Sequence, residues 1–296
     1  MPLGPSWSGR CGSFVPVAPR VRCAAIRSIP RGTSAPAGTA STSTEPGVPA
    51  AAGASPVRVT DPATLGALRE GELEVLGRLP GSTNQALVVL VHHPALAEPF
   101  HAVYKAILAE RPLFDFPIGT LARREVAAFL VSEATGWGIV PPTVLRDGPY
   151  GEGMVQQWIH GDGSVDLVGL VTGDHERLRP MAVFDAIVNN TDRKGGHLVP
   201  MPDGHIYGVD HGVTFSVEPK LRTVLWGWIG MPFDAAELAG LERVRDALRA
   251  ELGTALLELL DPAEVTATRR RVASLLRFRR FPRPNPDWPS IPWPPF

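Results

Sequence analysis

The sequence of 296 residues carries a formal net charge of −1 and is 44% apolar. It is therefore globular in composition, with no overall field that would draw it to nucleic acid or a membrane surface. No run of about 18 apolar residues occurs, so no integral membrane segment is expected. The two cysteines, Cys11 and Cys23, lie near the N-terminus, which leaves no disulfide framework or cysteine zinc site for the folded part and makes a cytoplasmic location the simplest expectation.

Residues 1–55 are rich in Ala, Pro, Ser, Thr and Gly, and carry five arginines before the first acid, Glu45. An Arg- and Ser-rich, acid-poor start can be a transit peptide. With no amphipathic helix in it, a disordered tail or sequence upstream of the true start is the expected reading. A kinase-like domain is then expected over residues 56–281, its N-lobe to about 155, followed by a strap at 282–296.

The folded part reads in chain order. "DPATLGALREG" is a helix with Asp61 as N-cap, Pro62 in its first turn and Gly71 at its end. "ELEVLGRL", "ALVVLVH" and "FHAVYKAIL" read as strands, the first two joined by the turn "PGSTNQ". "GTLARREVAAFLVSEATGWG" is a helix, capped by Thr120 and stopped by Gly136 and Gly138. "PPTVLR" and "GMVQQWIHG" are two more strands. "PMAVFDAIVNN" is a helix, "GHLVPMPDGHIYGVD" a hairpin, and "DAAELAGLERVRDALRAELGTALLELL" and "DPAEVTATRRRVASLLRF" are amphipathic helices. The layout is α+β and bilobal, a small antiparallel β-rich lobe followed by a mainly helical one. The proline-dense "RFPRPNPDWPSIPWPPF" cannot be helix and reads as an extended strap anchored by Trp288, Trp293 and Phe296, or as a ligand for a partner.

Several residues point to chemistry. Val103, Lys105 and Ile107 share one side of a strand, so Lys105 needs an anion or a carboxylate beside it unless it lies on a sheet edge. Glu125 interrupts an apolar helical stripe, which pairs it with Lys105, a recurring device of phosphoryl transfer. Ser82, Thr83 and Asn84 in the first turn can offer hydroxyls and backbone N–H groups to phosphate, although the spacing fits neither glycine-rich signature. Asp192 in "NNTDRKGGH" is followed five residues later by His197, where protein kinases place a metal-binding asparagine. Asp210 in "GVDHG" stands where kinases carry their strand-end aspartate. The order Gly-containing turn, strand Lys, helix Glu, catalytic Asp, metal ligand, second Asp is the kinase order throughout.

On these residues the chain resembles the phosphatidylinositol 3-/4-kinase-like family. "NNTDRKGGH" and "GVDHG" are nearest the type II phosphatidylinositol 4-kinases and an actinobacterial branch of that superfamily. The resemblance covers Leu73 to Phe281. It implies a bilobal protein-kinase-like fold and Mg²⁺-dependent transfer of the γ-phosphoryl group of ATP to a hydroxyl-bearing lipid, small molecule or protein. It makes Lys105 a phosphate-binding residue held by Glu125, and Met154 to Trp158, including Gln156 and Gln157, the hinge that meets adenine. Asp192 would orient the hydroxyl, Lys194 contact the transferred group, Arg193 brace the loop, and His197 and Asp210 hold metal. One departure matters: the usual asparagine is His197, whose imidazole suits Mn²⁺ better than Mg²⁺. A nucleotide-binding pseudokinase or regulatory module, or AMP transfer on the same fold, is the alternative reading. A zinc site drawn from His197, His205, His211 and His92 or His93 lacks any regular ligand spacing. Arg269–Arg271 and Arg277–Arg280 read as a solvated helical face rather than a membrane patch.

Overall fold

A computed structural model describes residues 60–79, 85–173 and 175–296. The expected tail at 1–55 and the candidate phosphate-turn residues Ser82, Thr83 and Asn84 lie outside the described residues.

The first part is a helix and an antiparallel sheet. α1 (Pro62–Glu70) starts on Asp61, whose carboxylate accepts from Ala63 N–H and Thr64 N–H. The strands are β1 (Glu72–Arg78), β2 (Leu87–His92), β3 (Phe100–Ala106), β4 (Thr143–Gly148) and β5 (Gly151–Gln157), in the order β1-β2-β3-β5-β4. β3 is thus an inner strand paired on both sides, and Lys105, opposite Met154 of β5, is not at an edge. Alternation gives the sheet two different faces. Ala102, Tyr104 and Ala106 pack with Val144 and Val155 under Ala67 and Leu68 of α1. On the other face Val103, Ile107, Leu145 and Met154 pack against Ala122 and Val126 of α2 (Leu121–Thr135).

The start of α2 differs from expectation. The Thr120 hydroxyl bonds Pro117 O instead of capping, and the Glu110 carboxylate accepts from Leu121 and Ala122 N–H at 3.1 and 2.8 Å. A carboxylate there satisfies two orphan donors and opposes the positive end of the helix dipole. Gly136 ends the helix at φ 69°, where glycine carries no Cβ penalty.

The second part is mainly helical. α3 (Leu167–Thr172) is a short helix absent from the sequence reading, and α4 (Arg179–Val188) is almost wholly buried. The expected hairpin forms as β6 (Leu198–Pro200) and β7 (Ile206–Gly208). The long amphipathic stretch is two helices, α5 (Ala235–Ala247) and α6 (Glu251–Leu259), interrupted at residues 248–250. Apolar periodicity continues through the break, so periodicity alone does not show it. α7 (Pro262–Phe278) packs on α4 and α5. Its arginines are not merely solvated. Arg269 donates to Leu248 O, and Arg271 donates to Ile187 O and Ser216 O, so both satisfy carbonyls left open at helix ends. Burial lowers the Arg271 guanidinium to about 10. No helix among the described residues is long and apolar enough to cross a membrane.

Candidate functional site

The site lies where the inner face of the sheet, α2 and the loops after α4 and β7 meet. Lys105 Nζ donates to Glu125 Oε1 at 2.7 Å and to Asp210 Oδ1 at 2.8 Å. The Glu125 side chain is 2% exposed and that of Asp210 53%. The ammonium therefore bridges a buried carboxylate and an open one. Burial opposes the Lys105 charge, but Asp210 and Glu125 outweigh it and hold the group above the usual lysine range. The Lys105 ammonium holds Asp210 well below the usual carboxylate range. Burial pushes the Glu125 carboxyl up, and Lys105 offsets this only in part. Asp210 also has φ +62°, a sparsely populated conformation of the kind that collects at functional sites.

The loop "NNTDR" is built residue by residue. Asn189 ends α4 in the left-handed region, and its amide donates to Ser216 O and Glu218 O while accepting from Lys220 N–H. Asn190 donates to Asp185 Oδ1 and accepts from Asp192 N–H, which fixes the backbone of the candidate catalytic residue. Thr191 donates to Val213 O through both its N–H and its hydroxyl. Asp192 keeps its carboxylate outside this web, 3.2 Å from Lys194 Nζ and 3.9 Å from Arg222 Nη2. Arg193 turns inward, fully buried, onto both oxygens of Asp185 at 2.9–3.1 Å and onto Val209 O.

His211 joins these pieces. Its N–H donates to Glu125 Oε2 at 2.8 Å, and its Nε2 lies 2.6 Å from Arg193 Nη2. A guanidinium can only donate, so Nε2 accepts and the ring proton sits on Nδ1, which is buried without a partner. Burial, with the Arg193 charge beside it, drives the His211 imidazole well below its usual range. The ring is neutral and lies edge-on to Phe184. One chain of contacts thus runs from Lys105 through Glu125, His211 and Arg193 to Asp185.

His197 points Nε2 at Asp210 Oδ2, 3.6 Å away. Burial pushes its imidazole below the usual range, with Asp210 pulling the other way, and Nδ1 accepts from Lys194 N–H at 3.5 Å, which leaves the ring proton on Nε2. Asp210 and His197 are the residues that could hold a cation, His197 through Nε2 in the tautomer that gives up the Lys194 bond. That fits a cation carried in by phosphate oxygens and water rather than a cage made by protein alone. Among the described residues no group of three or more His, Cys, Asp or Glu is placed to hold a metal. The histidines of the zinc reading do not converge: His205 Nε2 is on Gly138 O, His211 on Arg193 and His92 on Glu74.

In the segment expected to be the hinge, Gln156 is buried and donates to Thr143 Oγ1 at 2.8 Å, which commits its side chain inside the sheet. Gln157 N–H bonds Pro142 O and Trp158 N–H bonds His101 O, so neither of these backbone donors is open. The Trp158 ring tilts over His160 with centroids 6.3 Å apart. A cavity of about 400 Å³ lies elsewhere, between Glu70–Glu72 and His92–Leu96. It holds none of the Lys105 cluster, and the cluster rather than the cavity concentrates opposed charges.

Sequence reasoning passed over Asp185, His211 as a brace, Arg222 and Thr223, whose hydroxyl also bonds Asp185. One signal was present. Asp185 sits in the apolar run "MAVFDAIV", and a carboxylate there calls for a buried cation.

Compared with models of known protein families, the chain matches none. It is 44% identical to Protein Rv2133c of Mycobacterium tuberculosis over an alignment of 264 residues, with 77% of this chain and 94% of the relative covered. The crystal structure of a Helicobacter pylori proinflammatory kinase, CtkA, is similar with a TM-score of 0.46 and 11% identity, covering 72% of this chain and 94% of that one. At that score the likeness adds nothing to the geometry.

Proposed function

Because the chain belongs to the family of the Mycobacterium tuberculosis protein Rv2133c, we propose for that family, this chain included, ATP-dependent phosphoryl transfer to a hydroxyl group. The observation that carries the reading is the clasp of Lys105 between Glu125 and Asp210 at 2.7 and 2.8 Å. A structural lysine needs one counter-charge. This one has a buried carboxylate to position it and an open one that can turn to another cation. ATP, with Mg²⁺ or Mn²⁺, would supply the γ-phosphoryl group and neutralise its charge.

This chain's residues would do the rest. Glu125 holds Lys105 at the phosphates, and His211 N–H holds Glu125. Asp192, its backbone set by Asn190, takes the proton of the acceptor hydroxyl as that oxygen bonds the γ-phosphorus and ADP leaves. Lys194 and Arg222, beside Asp192, offset charge on the transferred group. Positioning and electrostatics supply nearly all of the catalysis in such reactions. Nothing in the site's geometry favours a phosphoinositide headgroup over another hydroxyl.

The His197–Asp210 contact supports a second reading, nucleotide binding without transfer: a ring set 3.6 Å from Asp210 would hold it in place without supplying a metal ligand. ATP binding and turnover with Mg²⁺ and with Mn²⁺ separate the two. Turnover supports transfer, binding without turnover supports the second reading, and no binding at millimolar ATP overturns both.

A further inference from the structure

The proline-rich C-terminal strap runs across the candidate catalytic loop. Asn285 donates to Pro219 O at 2.9 Å. Ser290 O accepts from Thr223 N–H at 3.0 Å and from the Trp226 indole N–H at 2.8 Å. Pro295 O accepts from Gly195 N–H at 2.8 Å. The Phe296 ring lies against Gly195, in the space a Cβ would need, so a larger residue there would displace the ring. Gly195 stands between Asp192 and His197. Three residues of chain reach at most about 11 Å, so the strap ends beside the carboxylate assigned to the acceptor hydroxyl.

The strap sits there as a ligand sits in a groove. It is held largely through its carbonyl groups, which any extended polypeptide carries, and main-chain bonding of that kind is a general mode of peptide recognition. Trp293 and Ile291 face solvent, 88% and 52% exposed, while Phe296 rests on Gly195 and Trp288 lies under Lys220, whose Nζ is 5.1 Å from the ring centroid. Trp288 Nε1 is buried without a partner, an unmade bond that counts against the docked state. The donors at Gly195 and Thr223 are neutral N–H groups, spread over the span from residue 290 to residue 295. The cations beside them are already partnered, Lys194 with Asp192, Lys220 with Asp115 and Arg222 with Thr191 O, whereas an anionic headgroup requires cations that converge on it.

We propose that the surface carrying the Gly195, Thr223 and Trp226 donors is the acceptor site, that it takes an extended polypeptide, and that the strap fills it in cis. In calling it an acceptor site the proposal rests on the phosphotransferase reading; the peptide groove itself does not.

The test uses the full chain, wild type and Phe296→Ala, with a labelled synthetic peptide of residues 285–296. In the variant the Gly195 and Thr223 amides exchange hydrogen at least about tenfold faster, while α4 amides keep their wild-type rates. The peptide binds the variant at least about tenfold tighter than the wild type, whose groove is occupied. Unchanged exchange, or equal peptide affinity, overturns the proposal. Phosphatidylinositol vesicles that speed exchange at Gly195 where the peptide does not overturn the ligand class. MgATP binding is measured on the same samples. A chain that binds peptide but not MgATP overturns the phosphotransferase reading and leaves the groove standing. A chain that binds MgATP but not peptide overturns the groove alone.

Discussion

Lys105 and Asp210 stand 105 residues apart in the chain and 2.8 Å apart in space. One comes from an inner strand of the sheet, the other from the turn that follows β7, so the contact exists only when both parts of the molecule are folded around it.

Asp210 in that contact, and Asp192 in the loop after α4, can each be changed without opening the core. Asp210 is 53% exposed and Asp192 27%, and neither fills a core. Asp192→Ala and Asp210→Ala are each expected to lower ATP turnover at least about a hundredfold, the scale of losing one preorganised transition-state contact. Circular dichroism should show both variants folded. Wild-type turnover in either removes that residue from the mechanism.

Lys105→Met should change how stability depends on pH. The folded Asp210 carboxyl lies below its unfolded value, so its contribution is present above about pH 4 and lost as pH falls through the lower folded value. Glu125 lies above its unfolded value, so its contribution is present below about pH 4 and lost as pH rises through the folded value. Removing Lys105 takes away the cation that lowers both. The variant should then gain more stability from pH 7 to pH 5 than the wild type does. Urea midpoints at the two pH values measure this, and parallel curves would show that Lys105 does not control the carboxylates.

Asp185→Ala leaves the Arg193 guanidinium buried without its carboxylate. Breaking a buried pair on one side costs about 3–5 kcal/mol, and urea denaturation should show a loss on that scale. A loss under about 1 kcal/mol, the range of a surface pair, would mean that Arg193 finds another partner.

His197→Asn replaces a ring nitrogen by an amide oxygen beside Asp210. Turnover with Mg²⁺ should rise relative to turnover with Mn²⁺, because Mg²⁺ prefers oxygen ligands. Loss of turnover with both metals would show that His197 serves Asp210 by its position beside it and does not ligate a cation.

Much of the site can be read from the sequence because its parts break local rules. Lys105 interrupts an alternating apolar strand and Glu125 an apolar helical stripe, and each violation announces a partner. The spacing of Asp192 and His197 is local too. What cannot be read is which distant group answers each violation. Arg193 reads as a brace, yet nothing nearby identifies Asp185 and His211 as its partners, because that choice is made by the packing of α4 against the β7 turn. Gln156 reads as facing a ligand, and in the sheet its amide finds Thr143 on the neighbouring strand first. The break between α5 and α6 is hidden for a related reason, since the apolar pattern passes through it unbroken.

Asn189 has φ 52° and ψ 55°, a conformation that glycine, asparagine and aspartate tolerate best. Glycine at this position would keep the backbone and lose the two bonds donated to Ser216 O and Glu218 O and the one accepted from Lys220 N–H. Aspartate would keep the bond from Lys220 and set a negative charge against two carbonyl oxygens. Of the residues best suited to this backbone, asparagine alone can also staple the segment at 216–220 to the end of α4. Position 189 thus has a vocabulary of one word, and any folded relative with another residue there must have rerouted both the loop and the segment beneath it.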